Sequence, residues 1–274
     1  MKFTKVKSLP SPFARAFARD DYSKGESRFS VTQLLSPSQQ TYLATQGEGI
    51  KSQAMGYASL MGTAVHKVLE DNVREDLGEL AEVRFFTEID GILVSGQMDY
   101  YEDGIVSDYK NIAGEKDEPN PDHVLQAHMN GYLAEKNGVE VRMCSIVYVQ
   151  RDWRESQATL NPSYPQSPFN VFVFDYDREL AKSKFSERIK EHLQAEEGNP
   201  RDCTREEQWR KPETWAIKKQ GGLRASKLCD SLKEAESLKK PDQIIEYRPG
   251  MATRCLSYCC YSHLCLQKKR ESAL

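Results

Sequence analysis

The chain lacks any apolar run approaching the roughly 18 residues that a membrane-crossing helix needs, so a membrane span is not expected. It also lacks an excess of either charge. Lys and Arg total 38 against 41 Asp and Glu, a formal net charge of -3. A globally basic nucleic-acid binder is thereby disfavoured, while a locally basic cleft stays open. The opening Met1-Lys2-Phe3-Thr4-Lys5-Val6-Lys7-Ser8-Leu9-Pro10 has no apolar core of the kind a secretion signal needs. The expectation is a cytoplasmic protein. In that compartment seven cysteines point to buried thiols or a metal site before disulfides. No internal repeat stands out.

Against these absences, 39% hydrophobic and 29% charged residues over 274 positions suffice for an ordinary buried core, as one large domain or one domain with an appendage. Residues 1–28 are polar and carry Pro10, Pro12 and Gly25, which reads as a loose arm. Ser30 or Thr32 can cap a short helix. Residues 53–76 read as a helix, with Ala58, Met61, Val65, Val68 and Leu69 at helical spacing. Glu82–Ile89, Ile92–Asp99 and Ile105–Lys110 read as strands of a meander, turned by Asp90-Gly91 and Asp103-Gly104. His123–Glu135 is an amphipathic helix ended by Asn137-Gly138. Val141–Gln150 and Asn170–Phe174 are strands, and Glu179–Glu196 is a charged helix. This order predicts an α/β core with a mixed sheet flanked by helices. After Gly198-Asn199-Pro200 the composition changes to a Trp- and Lys-rich insert with a helix capped by Asp230-Ser231, then a cysteine-rich tail.

Three groups of residues could carry chemistry. Asp108 and Lys110 alternate on a strand, so they share a face, and Asp99 arrives from the neighbouring strand. Two acids can share a divalent cation, and a lysine beside them can handle a water or a developing anion. Alone, such a triplet is more often a solvated ion pair. His66 and Glu70 lie on one helical face; a helical histidine is more often core or surface than ligand, but neutral imidazole binds metals. Gln126 and Tyr132 on the following helix could reach phosphate oxygens, with Tyr132 in the core as the plainer reading.

Together Gly62-Thr63-Ala64-Val65-His66, Gly96-Gln97-Met98-Asp99, Asp108-Tyr109-Lys110 and Gln126 to Tyr132 resemble, in this order, the RecB-like branch of the PD-(D/E)XK nuclease superfamily, to which the CRISPR-associated RecB-like exonucleases are related. The resemblance spans about residues 29–150. It implies an αβββαβ core within 29–196, preceded by the arm at 1–28 and followed by an appendage at 197–274. It implies that Asp99 and Asp108 bind Mg²⁺ or Mn²⁺, with the backbone carbonyl of Asn111 and His66 as further ligands. Lys110 would orient or activate the attacking water, and Gln126 and Tyr132 would position the DNA. Asp108 stands where many members have Glu.

Cys255, Cys259 and Cys265 resemble the three C-terminal cysteines of members that hold an iron–sulfur cluster. The fourth cysteine of those members precedes a proline near the N-terminus, where this chain has Ser36-Pro37. Cys203 is a substitute, since the Trp-rich insert resembles phage-type members; Cys260 and His263 are others. A [4Fe–4S] cluster, Zn²⁺ and plain buried thiols all stay open. In the insert, Trp209 and Trp215 among lysines could stack on bases or form a mini-core; the mini-core is the preferred reading.

The reading is a metal-dependent DNA exonuclease acting on single strands or duplex ends, in phage or mobile-element recombination or replication, in the cytoplasm (the host's if the chain is phage-encoded). The alternatives are an endonuclease or nickase on the same fold, or an inactive DNA-binding subunit of a helicase or integration complex. DNA is the expected partner, with a helicase, a recombinase or further copies of the chain as others, and no membrane.

Overall fold

A computed structural model describes residues 11–18 and 23–272. The chain divides into two units, one comprising the chain to Thr45 with Gln53–Arg201, the other Gln46–Ser52 with Asp202–Leu274. The division thus falls after Arg201, with the strip Gln46–Ser52 belonging to the second unit. Of the segment read as a loose arm, Ser11–Ala18 is helix α1; residues 1–10 and 19–22 lie outside the described residues.

In the first unit β1 (Phe29–Ser30) leads into α2 (Val31–Leu35), and α3 (Ser38–Gln46) and α4 (Gln53–Glu70) follow. Ser30 caps α2 through a capping box with Gln33, as a small hydroxyl three residues before a glutamine favours. The meander is β2 (Leu80–Ile89), β3 (Ile92–Glu102) and β4 (Ile105–Ile112). Its turns place Asp90 and Gly91 at φ of 51° and 75°, and Asp103 and Gly104 at 41° and 79°. Paired positive φ values are what a two-residue hairpin requires, which is why Asp-Gly occupies both. Then come α5 (Pro121–Lys136), β5 (Met143–Gln150), α6 (Glu155–Leu160), β6 (Phe169–Asp175) and α7 (Arg178–Glu196).

The strands form one mixed six-stranded sheet in the order β1-β3-β4-β5-β6, with β2 on the other edge of β3. β1–β3 and β4–β5 are parallel; β2–β3, β3–β4 and β5–β6 are antiparallel. Helices α2, α5 and α7 cover one face. There Leu34, Leu133, Phe185 and Ile189 pack with Phe29 and Val94, while Met98, Val106, Ala127 and Ile146 form an adjoining cluster. A Cβ on Gly96 would come within 2.5 Å of Asn130 Oδ1 and 2.7 Å of Leu133 Cδ1. Glycine here therefore lets α5 sit directly on β3.

Helix α4 stops at Glu70, short of the expected 76, and Val68 is 62% exposed. Its inward stripe is narrower than the periodicity suggested: Met61 and Val65 are half-buried, but Ala58 is exposed.

The second unit holds five strands beside the expected helix among its described residues. β7 (Arg210–Lys211), β8 (Thr214–Lys219), β9 (Ala225–Cys229), α8 (Leu232–Leu238), β10 (Gln243–Arg248) and β11 (Met251–Ala252) precede a π-helical turn, Arg254–Tyr258, and α9 (Leu266–Ser272). β10-β8-β9 form a three-stranded sheet and β11 pairs with β7. Ile217, Cys229 and Ala235 make a small core with Trp215 and Ile245 packed on it. No described helix is long and apolar enough to cross a membrane.

Candidate active site

The site forms where β3 and β4 part. Their register runs only from Tyr100↔Ser107 to Glu102↔Ile105. Beyond Ser107, β4 leaves β3 and pairs with β5 alone. The Asp99 carboxylate fills the fork: its Oδ2 accepts the Tyr109 backbone N–H at 2.7 Å. A second irregularity lies across the same strand. Met98 and Tyr101, three apart, pack into one core cluster, as do Phe85 and Leu80, five apart. Regular strands cannot put such pairs on one face. The break lies at Glu82, a non-glycine residue at φ 52°. A local twist of this kind re-aims side chains, and here it turns Glu82 and Asp99 toward α4.

Helix α4 supplies His66 to this spot. Its Nδ1 is 2.7 Å from Glu82 Oε1 and 3.7 Å from Asp99 Oδ1. Its Nε2 lies 3.4 Å from the Tyr109 carbonyl oxygen. Asp108 and Lys110 follow on β4 and pair with each other, Nζ to Oδ2 at 2.6 Å. Asp108 is 2% exposed. A cleft of about 270 Å³ opens beside them, lined by His66, Leu69, Asp99, Tyr100 and Tyr109. The Tyr100 and Tyr109 rings stack with centroids 6.1 Å apart.

Electrostatics follow from burial. Loss of solvent pushes the Asp99 carboxyl up to about 7; the Asp108 charge adds to this, while Lys110 and His66 oppose it. Burial also raises Asp108, against the pull of Lys110. For Lys110 burial acts downward, but Asp108 and Asp99 outweigh it and the net direction is up. His66 is raised to about 9, chiefly by its hydrogen bond to Glu82. The two aspartates are thus short of compensating positive charge, the condition that a bound cation relieves.

Two features fit a hard divalent cation. Atoms of His66, Glu82 and Asp99 lie within 4.8 Å of one another. The buried Asp108 Oδ1 has no hydrogen-bond donor. A mixed set of carboxylates with one imidazole suits Mg²⁺ or Mn²⁺, the imidazole favouring the latter.

The structure therefore brings His66, Asp99, Asp108 and Lys110 into one neighbourhood. The Asn111 carbonyl accepts from Arg151 Nη1 at 3.2 Å, and the Tyr109 carbonyl lies 3.4 Å from His66 Nε2. One expected role needs correction. Tyr132 is 5% exposed and packs on Phe185, with ring centroids 5.7 Å apart, so it belongs to the core and not to a DNA surface. Gln126, at the same helix, is half-buried. Glu70, paired with His66 by spacing, instead bonds Lys67 at 3.1 Å. Glu82 was missed, although a signal existed: counting back from the Asp90-Gly91 turn places it opposite Asp99.

In the second unit Cys203, Cys255, Cys259 and Cys265 lie close enough to act on one another electrostatically, and burial with these neighbours pushes the Cys203 thiol up to about 12. Gln267 clamps the Cys203 backbone with two hydrogen bonds, 2.8 and 2.9 Å. Cys144 and Cys229 are separate core residues. The expected tryptophan mini-core contains only Trp215. Trp209 is 42% exposed, with the Arg254 guanidinium 4.2 Å over its ring.

No family model matches the chain, and no curated protein matches it. Among solved structures it is similar to SSO0001, at 16% identity and TM-score 0.49, over 74% of this chain and 91% of that one. It is similar to the alkaline exonuclease LHK-Exo of Laribacter hongkongensis, at 13% identity and TM-score 0.38, over 68% of this chain and 93% of that one. The complex of LHK-Exo with dAMP aligns over 61% of this chain and 96% of its own, at 12% identity and TM-score 0.34.

Proposed function

We propose that the chain is a divalent-metal-dependent nuclease that hydrolyses phosphodiester bonds of DNA. The observation that carries this reading is the fork of β3 and β4, where Asp99 fills the gap and the buried Asp108–Lys110 pair follows. His66, Asp99 and Asp108 would hold Mg²⁺ or Mn²⁺, which when bound supplies charge neutralisation for the phosphate and an acidified water. Lys110 is held as an ammonium by the two aspartates. Paired with Asp108, it is placed to orient or activate the attacking water or to meet the scissile phosphate. Phosphate chemistry asks mainly for such placement of charge. Leu69, Tyr100 and Tyr109 give the cleft an apolar and aromatic wall on which a base can stack.

The finer reading follows the family resemblance: an exonuclease on single strands or duplex ends, serving phage or mobile-element recombination or replication beside a helicase, recombinase or further copies. Asp108→Ala and Lys110→Ala should each abolish cleavage with the circular dichroism spectrum unchanged. Undiminished activity in either folded variant would contradict the assignment. A circular single strand separates the modes, since an exonuclease leaves it intact and an endonuclease or nickase cuts it.

For the second unit we propose a metal held by Cys203, Cys255, Cys259 and Cys265. Their mutual proximity and the Gln267 clamp support it. Zn²⁺ and iron–sulfur clusters both accept thiolates, and the resemblance of Cys255, Cys259 and Cys265 to the cysteines of cluster-holding relatives favours the cluster. Protein purified without oxygen should be brown and contain iron and sulfide, and Cys203→Ser should lose both. Colourless protein with stoichiometric zinc would contradict the cluster.

A further inference from the structure

Behind His66 a line of hydrogen bonds crosses the face of the β2–β3 ribbon opposite α5. Glu82 Oε1 meets His66 Nδ1 at 2.7 Å. Glu82 Oε2 accepts from Gln97 Nε2 at 2.5 Å. Gln97 Oε1 accepts from Arg84 Nη2 at 2.6 Å, and Arg84 Nη1 donates to Ser95 Oγ at 3.2 Å. Ser95 Oγ in turn donates to the Lys24 carbonyl at 3.0 Å. Both Glu82 oxygens are thus engaged, one by the imidazole and one by an amide that is itself held by a guanidinium. The backbone at Glu82 adopts φ 52°, which a non-glycine residue keeps only when its surroundings hold it there.

We infer that Glu82 is a positioning residue for the metal site: it accepts a hydrogen bond from the Nδ1–H of His66, so that Nε2 is the nitrogen left to face the cation. The inference rests on the metal-dependent reading above. A metal-bound histidine donates its other ring N–H to a carboxylate or carbonyl, which fixes ring orientation and tautomer and raises ligand basicity. Gln97 and Arg84 extend the arrangement. Gln97 holds the carboxylate in its rotamer, and Arg84 supplies its distant countercharge. The competing arrangement is Glu82 as a direct ligand, since its oxygen lies within the 4.8 Å cluster with His66 and Asp99. Occupation of both carboxylate oxygens by protein donors favours positioning.

Manganese binding measured by electron paramagnetic resonance, without DNA, tests this apart from cleavage. Glu82→Ala should weaken Mn²⁺ about 10- to 100-fold, the usual loss for such a partner. Glu82→Gln, whose amide oxygen can still accept from Nδ1, should stay within a few-fold of wild type and guards against a folding defect in the alanine variant. In a His66→Ala background, Glu82→Ala should cost nothing further, because the two act as one unit. Wild-type affinity in Glu82→Ala would overturn the inference. So would a Gln variant as weak as Ala together with additive losses in the double variant, which is the signature of a direct ligand. If the wild-type chain binds no Mn²⁺, the metal-dependent function falls along with it. Normal binding with no Glu82 effect overturns the positioning role alone.

Discussion

At the scale of single residues, the acids at the fork are held by burial and by one lysine. Each is short of compensating charge, and that shortage is what the nuclease reading uses. A different buried residue gives a stability test outside the site. His192 is fully buried, with Nδ1 2.8 Å from Thr41 Oγ1 and Nε2 3.3 Å from the Leu34 carbonyl. Burial, then the charge of Arg188, pushes it down to about 4. The folded state therefore favours the neutral ring, and the unfolded chain takes up a proton first as pH falls below about 6.5. Stability from this group is complete above that pH and is lost between about 6.5 and 4, worth at most about 3 kcal/mol. The melting temperature of wild type should fall more steeply across that window than that of His192→Gln; parallel curves would contradict the assignment. Residues in register were legible from the sequence: alternation puts Asp108 and Lys110 on one face, and the structure brings His66 and Asp99 to them. The role of Tyr132 was not. A tyrosine on a helix facing both core and cleft carries no mark of which it meets.

At the scale of elements, turn chemistry and periodicity made the meander and the long helices readable to within a few residues. Asp-Gly at both turns reflects the demand for positive φ on two successive residues. The break in β2 and β3 at Glu82 and Asp99 was not readable, because a non-glycine residue at positive φ leaves no compositional trace. The second unit was read with too few strands. β8 and β9 are short and carry three lysines between them, so their pattern is weak. The seating of α5 on β3 can be tested directly. Gly96→Ala forces a Cβ into Asn130 and Leu133, and overpacking of this kind costs about 1–3 kcal/mol. Chemical denaturation should show that loss. A variant as stable as wild type would mean that α5 can shift freely.

At the scale of the whole molecule, the chain combines a mixed-sheet unit that carries the acidic site with a smaller unit that carries Cys203, Cys255, Cys259 and Cys265. The cluster proposal concerns the second unit, and the cleavage proposal concerns the first. Serine replacement of Cys203 should therefore remove colour and iron while the Mn²⁺ affinity of the first unit stays unchanged; a parallel loss of both would contradict their independence. The central claim is cleavage itself. The measurement that tests it most directly incubates end-labelled single- and double-stranded DNA with the purified chain in Mg²⁺ or Mn²⁺, beside EDTA-treated protein and Lys110→Ala. The account predicts degradation by the wild-type chain with either metal, none with EDTA and none with Lys110→Ala. Intact DNA in every wild-type reaction, or undiminished cleavage by folded Lys110→Ala, would contradict it.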